Sequence, residues 1–301
     1  MKLSTYFIFY QSNIPSRDAI ATMNKFIVSL LGFFVISSAC HRDRFNLALP
    51  NTDLTLTDIA YGDDPSQKMD VFLPANRTVQ TKIIVYLHGG SWYTGDKGEA
   101  RETAINFQKK GYAFISMNYR LTQMPTNINP AQMQDIKKAL DFISNKYLQW
   151  IITGNRICLF GGSSGAHLSL LYAYKYPEDK RVKAVVSVSG PVDLTDSNMR
   201  NTVFKTYREA FVGCKLSDNR EAWLEASPSN YLSENCVPTV FIQGTQDNIV
   251  PFHQVVSAYN LLKAYGVNTK LLLYQGVGHD LSEENPEIFS NLENFVDSAY
   301  P

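Results

Sequence analysis

The sequence predicts a single α/β domain whose mostly parallel central sheet is covered by helices on both faces. Short apolar runs such as residues 82–87 (KIIVYL) are typical of strands buried on both faces. Segments with helical spacing of apolar residues follow most of these runs, and this alternation favours parallel strands joined by crossover helices. The sequence contains no internal repeat or low-complexity tract, so one domain over residues 53–301 is the simplest organisation.

The strands are predicted from short runs that are either continuously apolar or alternate with period two. Pro74 ends the second of them. The expected strands cover residues 53–61, 68–73, 82–87, 112–118, 156–160, 182–188, 238–243 and 270–274.

The helices are predicted from apolar spacing and from residues that favour helix ends. Asn129 followed by Pro130 is typical of a helix start, with Asn as the N-cap and Pro in the first turn. The expected helices cover residues 97–110, 130–147, 165–176, 252–265 and the segment after Asn285-Pro286. Residues 191–236 are polar, mixed and irregular, and they predict an inserted cap over one edge of the site.

The composition excludes several classes of protein. The 301 residues include 28 Lys plus Arg and 28 Asp plus Glu, so there is no cationic surplus for binding nucleic acid. A hydrophobic content of 45% is too high for a disordered chain, and four cysteines do not make a disulfide scaffold. No Cys-x-x-Cys or His-x-x-x-His spacing occurs, so we expect neither a metal site nor a cofactor.

The N-terminal segment predicts export. Residues 26–39 form an apolar run of 14 residues after Lys25, which is too short to span a bilayer but fits a secretory signal. Small residues precede Cys40, so cleavage before Cys40 is expected, and Ser37 to Cys40 resemble a bacterial lipobox without its usual Leu. Cys40 is therefore the candidate lipidation site of an envelope lipoprotein, and a soluble periplasmic enzyme is the alternative. A buried N-terminal helix is a further alternative.

The rest of the N-terminal region follows from this signal. Met23-Asn24-Lys25 is a typical start for a secretory signal, which would make residues 1–22 the artefact of an upstream start. Residues 40–52 are polar and would form a tether to the folded domain.

A Gly-x-Ser-x-Gly motif marks the candidate nucleophile. It occupies residues 161–165, with Ser163 at its centre, between a predicted strand and a predicted helix. A serine exposed at such a sharp turn needs strained backbone angles and small neighbours, and the flanking glycines supply them. An ordinary Gly/Ser turn would look the same in isolation, so the assignment depends on the other residues of the site.

A second glycine pair follows the strand at residues 82–87. His88-Gly89-Gly90 would bring backbone N–H groups close to a substrate oxygen, and with the N–H of Ser164 they predict an oxyanion hole. A plain β-to-α turn is the alternative. We expect His88 to order this loop rather than to act as a base.

The serine also needs a base and an orienting carboxylate. Of the five histidines, His279 follows the last predicted strand in a glycine-bearing loop, and Asp247 follows the preceding one. The chain order Ser163, Asp247, His279 matches the order used by α/β-hydrolases. Asp193, after an earlier strand, remains a rival for the acid, and His167 is expected to be a packing residue.

With these motifs, the chain resembles the carboxylesterase and hormone-sensitive-lipase-like group of α/β-hydrolases, and most of all the bacterial acetyl xylan and feruloyl esterases. The resemblance implies that the Ser, Asp and His are a catalytic triad and that Gly89 and Gly90 belong to the oxyanion hole. Gly162 replaces the Asp often found before the nucleophile. The resemblance covers roughly residues 55–298. It is carried by MDVFLP (69–74), YLHGGSWYTGDK (86–97), MNYRL (117–121), LFGGSSGAHLSLL (159–171), SPSNYL (227–232), PTVFIQGTQDNIVP (238–251) and GVGHDL (276–281).

Aromatic residues near the motifs are candidates for substrate binding. Trp92, Tyr93 and Tyr119, together with Trp223, could form a wall for a sugar or aryl group, and packing against the cap is the alternative. In the cap, Cys214 and Cys236 could pair in an oxidising compartment, and this pairing is left open.

The sequence therefore predicts a serine esterase for short-chain or aromatic carboxylic esters, which could be carried on oligosaccharides from plant polysaccharides. An amidase such as an arylformamidase, or an exopeptidase, would use the same triad. A non-catalytic binding module on the same fold is a third hypothesis. All three triad residues are present, which favours an enzyme.

Overall fold

The protein is described by a computed structural model that covers residues 50–281 and 286–299. The expected signal sequence and Cys40 lie outside these residues. Within them, an eight-stranded sheet has the order β1-β2-β4-β3-β5-β6-β7-β8. Its strands are β1 (Leu54–Ala60), β2 (Lys68–Leu73), β3 (Ile83–Leu87), β4 (Ala113–Met117), β5 (Ile157–Gly162), β6 (Val182–Val188), β7 (Thr239–Gly244) and β8 (Thr269–Tyr274).

The sheet confirms the predicted α/β class. Strands β1, β2 and β4 are paired antiparallel, whereas β4, β3, β5, β6, β7 and β8 form a parallel block. Every residue of β3 and of β4 is buried, which explains the continuous apolar run of β3 and the run of β4 that only Ser116 interrupts. Because the carboxyl ends of parallel strands meet at one edge, the loops after β3, β5, β6, β7 and β8 gather there.

Helices cover both faces of the sheet. Within β3, Val85 belongs to one buried cluster, and Ile84 and Tyr86 belong to the other, as period-two strands require. The first cluster includes residues of the helices at 131–150, 164–175 and 253–264, and the second includes residues of the helices at 101–109 and 286–299. The helices are α1 (Arg101–Lys109), α2 (Ala131–Trp150), α3 (Ser164–Lys175), α4 (Thr202–Val212), α5 (Arg220–Glu225), α6 (His253–Ala264) and α7 (Pro286–Ala299).

Two predicted helix starts differ in detail from the structure. The helix expected from Lys97 begins as a 3-10 turn (Lys97–Ala100), capped by the Asp96 side chain, and becomes α1 afterwards. The N-cap of α2 is Pro130, not Asn129, and no side chain caps it. The backbone N–H of Asn129 donates instead to the carbonyl of Phe211, so this residue ties the loop to the cap.

The inserted cap is more regular than the sequence predicts. It contains α4, α5 and a 3-10 turn (Pro228–Tyr231). Asn201 and Asn219 cap the two helices by accepting from backbone N–H groups at 3.0 and 3.1 Å. The apolar face of α4 is not apparent in the sequence, because Arg208 interrupts it between Phe204 and Phe211. In the structure Arg208 is buried with these residues and donates to backbone carbonyls.

Two further sequence questions concern the cysteines and the membrane. Cys214 and Cys236 are free thiols in the structure. The Cys236 thiol accepts from the N–H of Ser233 and donates to the carbonyl of Tyr231. No helix in the described ranges is long and apolar enough to cross a bilayer.

Candidate active site

The carboxyl edge of the sheet brings Ser163, His279 and Asp247 together. Ser163 Oγ lies 3.0 Å from His279 Nε2, and His279 Nδ1 lies 2.7 Å from Asp247 Oδ2. An ionised carboxylate can only accept, so Nδ1 carries the proton and Nε2 presents its lone pair to the serine hydroxyl. This arrangement allows His279 to take a proton from Ser163.

The backbone at Ser163 is strained. Ser163 adopts φ 50° and ψ −116° at the junction of β5 and α3. A Cβ on Gly161 would lie 2.3 Å from the carbonyl carbon of Gly165, and one on Gly165 would lie 1.9 Å from the carbonyl oxygen of Leu87. Only glycine therefore fits on either side, as the motif predicts. Strain of this kind is typical of functional sites.

The neighbouring loops carry further residues with positive φ. Ser91 and Trp92 after β3, and Ser189 after β6, have φ between 51° and 60°. The hydroxyl of Ser189 donates to the carbonyl of His279 at 3.0 Å, which fixes the backbone of the candidate base. The loops around Ser163 are thus held in specific, unfavourable conformations by their surroundings.

Asp247 is enclosed by hydrogen-bond donors. Its side chain is fully buried. Oδ1 accepts from the N–H groups of Ile249 and Val250, both at 2.8 Å. Oδ2 accepts from His279 and also from Nε2 of Gln243 at 2.7 Å. Both carboxylate oxygens are therefore fixed by the protein.

The rival acid has a different environment. Asp193 Oδ1 accepts from the N–H and the hydroxyl of Thr195 at 2.8 and 2.7 Å. This is a local turn in the loop after β6. The structure thus brings Asp247 to His279 and leaves Asp193 bonded within its own loop.

The glycines after β3 lie beside the nucleophile. A Cβ on Gly89 would lie 3.6 Å from the Cβ of Ser163, so the two backbones are in close contact. Gly90 has φ 102°, and a Cβ there would lie 2.3 Å from the carbonyl oxygen of Thr94. The glycine backbones therefore lie close to the nucleophile, and an oxyanion hole formed by the N–H groups of Gly89, Gly90 and Ser164 stays a prediction.

His88 and Tyr119 pack against each other in this loop. The rings stack with centroids 4.3 Å apart at 12°, and the Tyr119 hydroxyl donates to the His88 carbonyl at 2.9 Å. His88 Nδ1 lies 2.7 Å from the carbonyl oxygen of Gly89. Burial lowers the pKa of His88, which keeps the imidazole neutral. His88 is placed to order the loop.

The expected aromatic wall is mostly wrong. Trp92 is fully buried and stacks on Phe204 and Phe211 of the cap, and Tyr119 is 1% exposed beneath the loop. Trp223 is also buried, and its indole N–H donates to the carbonyl of Cys214. Packing explains these three residues, because the cap needs apolar contacts to stay on the sheet.

One aromatic pair near the loop is at least partly exposed. Tyr93 is 50% exposed, and its ring centroid lies 5.4 Å from that of Tyr207 on α4. Val203, one turn before Tyr207 on the same helix, is also exposed. Tyr207 escaped the sequence analysis because it lies in the cap, whose helices were not predicted.

His167 connects the nucleophile helix to the cap. Its Nδ1 accepts from the indole N–H of Trp92 at 3.2 Å, and Nε2 lies 2.8 Å from the carbonyl oxygen of Ala226. Burial lowers the pKa of His167 to about 4, so the ring is neutral near pH 7. The expected packing residue therefore also carries hydrogen bonds.

In the described ranges, no group of three or more His, Cys, Asp or Glu side chains is placed to hold a metal ion. Besides Tyr207, the sequence analysis missed Gln243 and Ser189, which bond to Asp247 and to the backbone of His279. A polar residue at the end of the apolar strand PTVFIQ was the available signal for Gln243.

The chain is similar to hydrolases of known name over most of its length. Kynurenine formamidase from Danio rerio is 26% identical over 257 residues, which cover 82% of this chain and 78% of that protein. Esterase LipC from Mycobacterium tuberculosis is 27% identical over 237 residues, which cover 73% of this chain and 58% of LipC. The chain thus spans little more than half the length of LipC.

A solved structure and a family model agree on the fold. A truncated carbohydrate esterase from gut microbiota superposes with a TM-score of 0.73 at 24% identity, covering 83% of this chain and 98% of that one. The BD-FAE family model matches residues 69–262, from β2 to α6. The chain therefore belongs to the BD-FAE family, a hormone-sensitive-lipase-like family of α/β-hydrolase esterases.

Proposed function

We propose that the protein hydrolyses carboxylic esters through an acyl-enzyme formed on Ser163. The continuous hydrogen-bond chain from Ser163 Oγ through His279 to Asp247 Oδ2 carries this proposal. A serine hydroxyl is a weak nucleophile on its own, and a hydrogen-bonded base with an orienting carboxylate is the arrangement that activates it.

In the first half of the reaction, Ser163 Oγ attacks the ester carbonyl carbon as its proton passes to His279 Nε2. The carbonyl oxygen becomes an oxyanion, which the N–H groups of Gly89, Gly90 and Ser164 stabilise. The tetrahedral intermediate collapses, and His279 gives its proton to the departing alkoxide, so an alcohol leaves.

In the second half, water attacks the acyl-serine and gives its proton to His279. The second tetrahedral intermediate collapses, and His279 returns the proton to Ser163 Oγ. The products are a carboxylic acid and a regenerated serine. Asp247 stays ionised throughout and holds His279 in the required tautomer.

We propose short-chain or aromatic acyl groups as substrates, including those carried on oligosaccharides from plant polysaccharides. This proposal is supported by Tyr93 and Val203, which are exposed, and by Tyr207, which is partly exposed. Such aromatic and apolar side chains beside the predicted oxyanion loop can pack on a sugar or an aryl ring. An amidase is the second candidate. It is favoured by the similarity to kynurenine formamidase from Danio rerio, because the aligned residues cover 78% of the length of that protein.

A substrate panel with a nucleophile variant tests the reaction class. Wild-type protein should turn over p-nitrophenyl acetate and feruloylated oligosaccharides, and a fluorophosphonate should label it. Ser163→Ala should lose label and turnover, on the order of a millionfold. Ser217→Ala, at an exposed serine of the cap, should keep both. Labelled wild-type protein that cleaves only N-formyl amides would favour the amidase, and unlabelled protein would contradict both candidates.

We also propose that the protein is exported and cleaved before Cys40, with lipidation of that cysteine as the anchored form. The apolar run at residues 26–39 supports export. A single acyl chain binds membranes only marginally, so stable anchoring needs a multiply acylated cysteine. Mass spectrometry of the mature N-terminus distinguishes a lipid-modified Cys40 from a free one, and retention of residues 1–39 would contradict export.

A further inference from the structure

Gln243 is a buried amide at the carboxyl end of β7. Its Nε2 donates to Asp247 Oδ2 at 2.7 Å and to the carbonyl of Val250 at 3.1 Å. Both partners can only accept, so the orientation of the amide is determined by its surroundings and the nitrogen must face the carboxylate. Gln243 therefore donates to the same oxygen that accepts from His279.

The four donors to Asp247 divide into two kinds. The N–H groups of Ile249 and Val250 hold Oδ1 and belong to the backbone of the loop that Asp247 itself begins. Oδ2 accepts from two side chains, those of His279 and Gln243. The amide is held by strand β7 and by a second hydrogen bond to Val250, so its contact with Oδ2 does not depend on His279.

We propose that Gln243 is a positioning residue, whose amide holds Asp247 Oδ2 where that oxygen orients His279. This inference rests on the proposed esterase function, because Gln243 acts through Asp247 rather than on the substrate. Its hydrogen bonds go to Asp247 and Val250, not to Ser163 or to His279.

Gln243 lies in the parallel block of the sheet. In the sheet, Gln243 pairs with Leu273 of β8, and its neighbour Ile242 pairs with Val188 of β6. From α6, His253 is hydrogen-bonded to Asp196. Asp247, with His279 beyond it, is thus the ionisable group that the amide faces.

A variant without the donor separates positioning from simple packing. Gln243→Met keeps the length and volume of the side chain but cannot donate. We expect kcat for p-nitrophenyl acetate to fall about tenfold, as for loss of a hydrogen bond to a charged acceptor, with KM within twofold. Gln246→Met, at an exposed glutamine in the same loop, should keep wild-type kcat. Unchanged kcat in Gln243→Met, with a lower melting temperature, would overturn the proposal.

A carboxyl at the same position gives a second, independent readout. In Gln243→Glu, an ionised carboxylate would repel Asp247, whereas the protonated form could donate its O–H to Asp247 Oδ2. The ratio of variant to wild-type kcat should therefore rise several-fold as pH falls from 8 to 6. A ratio that does not change with pH would contradict the donor role.

The two proposals fail in different ways. Wild-type protein that neither reacts with a fluorophosphonate nor cleaves an ester would overturn the proposed function, and the role of Gln243 with it. Active wild-type protein whose Gln243→Met variant has the same kcat would overturn only the positioning role.

Discussion

Asp247 and Trp92 are both buried at the carboxyl edge of the sheet, and the protein holds them in different ways. Asp247 is fixed by four hydrogen-bond donors, two of them backbone N–H groups. Trp92 makes one side-chain hydrogen bond, to His167, and otherwise stacks on Phe204 and Phe211. The acid loop is thus built from directional contacts, and the oxyanion loop is built largely from packed rings.

This difference separates catalysis from stability. A hydrogen bond has a required direction, so changing one atom near Asp247 misplaces the base while the fold survives. Stacked rings contribute buried area, so truncating one near Trp92 lowers the free energy of unfolding and loosens the cap. Substitutions in the two loops should therefore change different measured quantities.

The largest effect is expected at the acid. Asp247→Asn places an amide N–H against donors from Gln243 and His279, which favours the wrong tautomer of the base. We expect kcat to fall by about four orders of magnitude, with the melting temperature changed by only a few degrees. Ester turnover and thermal unfolding measured on one preparation check this. A loss confined to KM would instead point to Asp193 as the acid.

The next largest effect is expected in the oxyanion loop. Trp92→Ala removes the ring that packs between the cap and His167, and should lower the free energy of unfolding by about 3–5 kcal/mol in urea titrations. Tyr93→Ala, at the half-exposed neighbouring residue, should change it by less than about 0.5 kcal/mol. Equal losses in the two variants would remove the distinction between buried and exposed rings in this loop.

An intermediate effect is expected from acid. The pKa of His167 is about 4 in the folded protein against 6.5 for the ordinary group, so the unfolded chain binds a proton between these values and the folded chain does not. The contribution of His167 to stability is complete above about pH 6.5 and is lost as pH falls towards 4, by about 3 kcal/mol.

Urea titrations at pH 7 and pH 4.5 measure this loss. His167→Gln should be less stable at pH 7 but lose less stability on acidification than the wild type. His253→Gln, at a partly exposed histidine bonded to Asp196, should keep most of the wild-type loss. Identical acid sensitivity in wild type and His167→Gln would rule out His167 as its source.

The smallest effect is expected at Tyr119. Tyr119→Phe keeps the stack on His88 but removes the hydroxyl that donates to the His88 carbonyl. The loss of one neutral hydrogen bond, about 1 kcal/mol, should lower kcat about fivefold through a less fixed oxyanion loop. Tyr112→Phe, which loses a hydroxyl bonded to Asp297 on α7, should lower stability without changing kcat. If both variants keep wild-type kcat, the hydroxyl of Tyr119 does not serve the loop.

The sequence predicts the triad residues better than it predicts the residues that pack against them or form hydrogen bonds to them. Ser163, Asp247 and His279 were identified because each follows a recognisable strand and their order is informative. The burial of Trp92 depends on α4, more than a hundred residues away, and α4 was missed because Arg208 interrupts its apolar face. Likewise, a lone glutamine in an apolar strand gives no indication of which acceptor it will meet, since the contact with Asp247 depends on the path of the loop.

The fit between Gly165 and Leu87 limits how this enzyme can be redesigned. The backbone of α3 approaches the end of β3 so closely that not even a methyl group fits between them. A side chain introduced at Gly165 would displace the helix that follows the nucleophile from the end of β3, so directed evolution should find almost no tolerated changes there. The cap is less constrained than this contact, because Val203 is exposed and Tyr207 is partly exposed on one face of α4. A library confined to those two positions should alter substrate preference while retaining the chemistry.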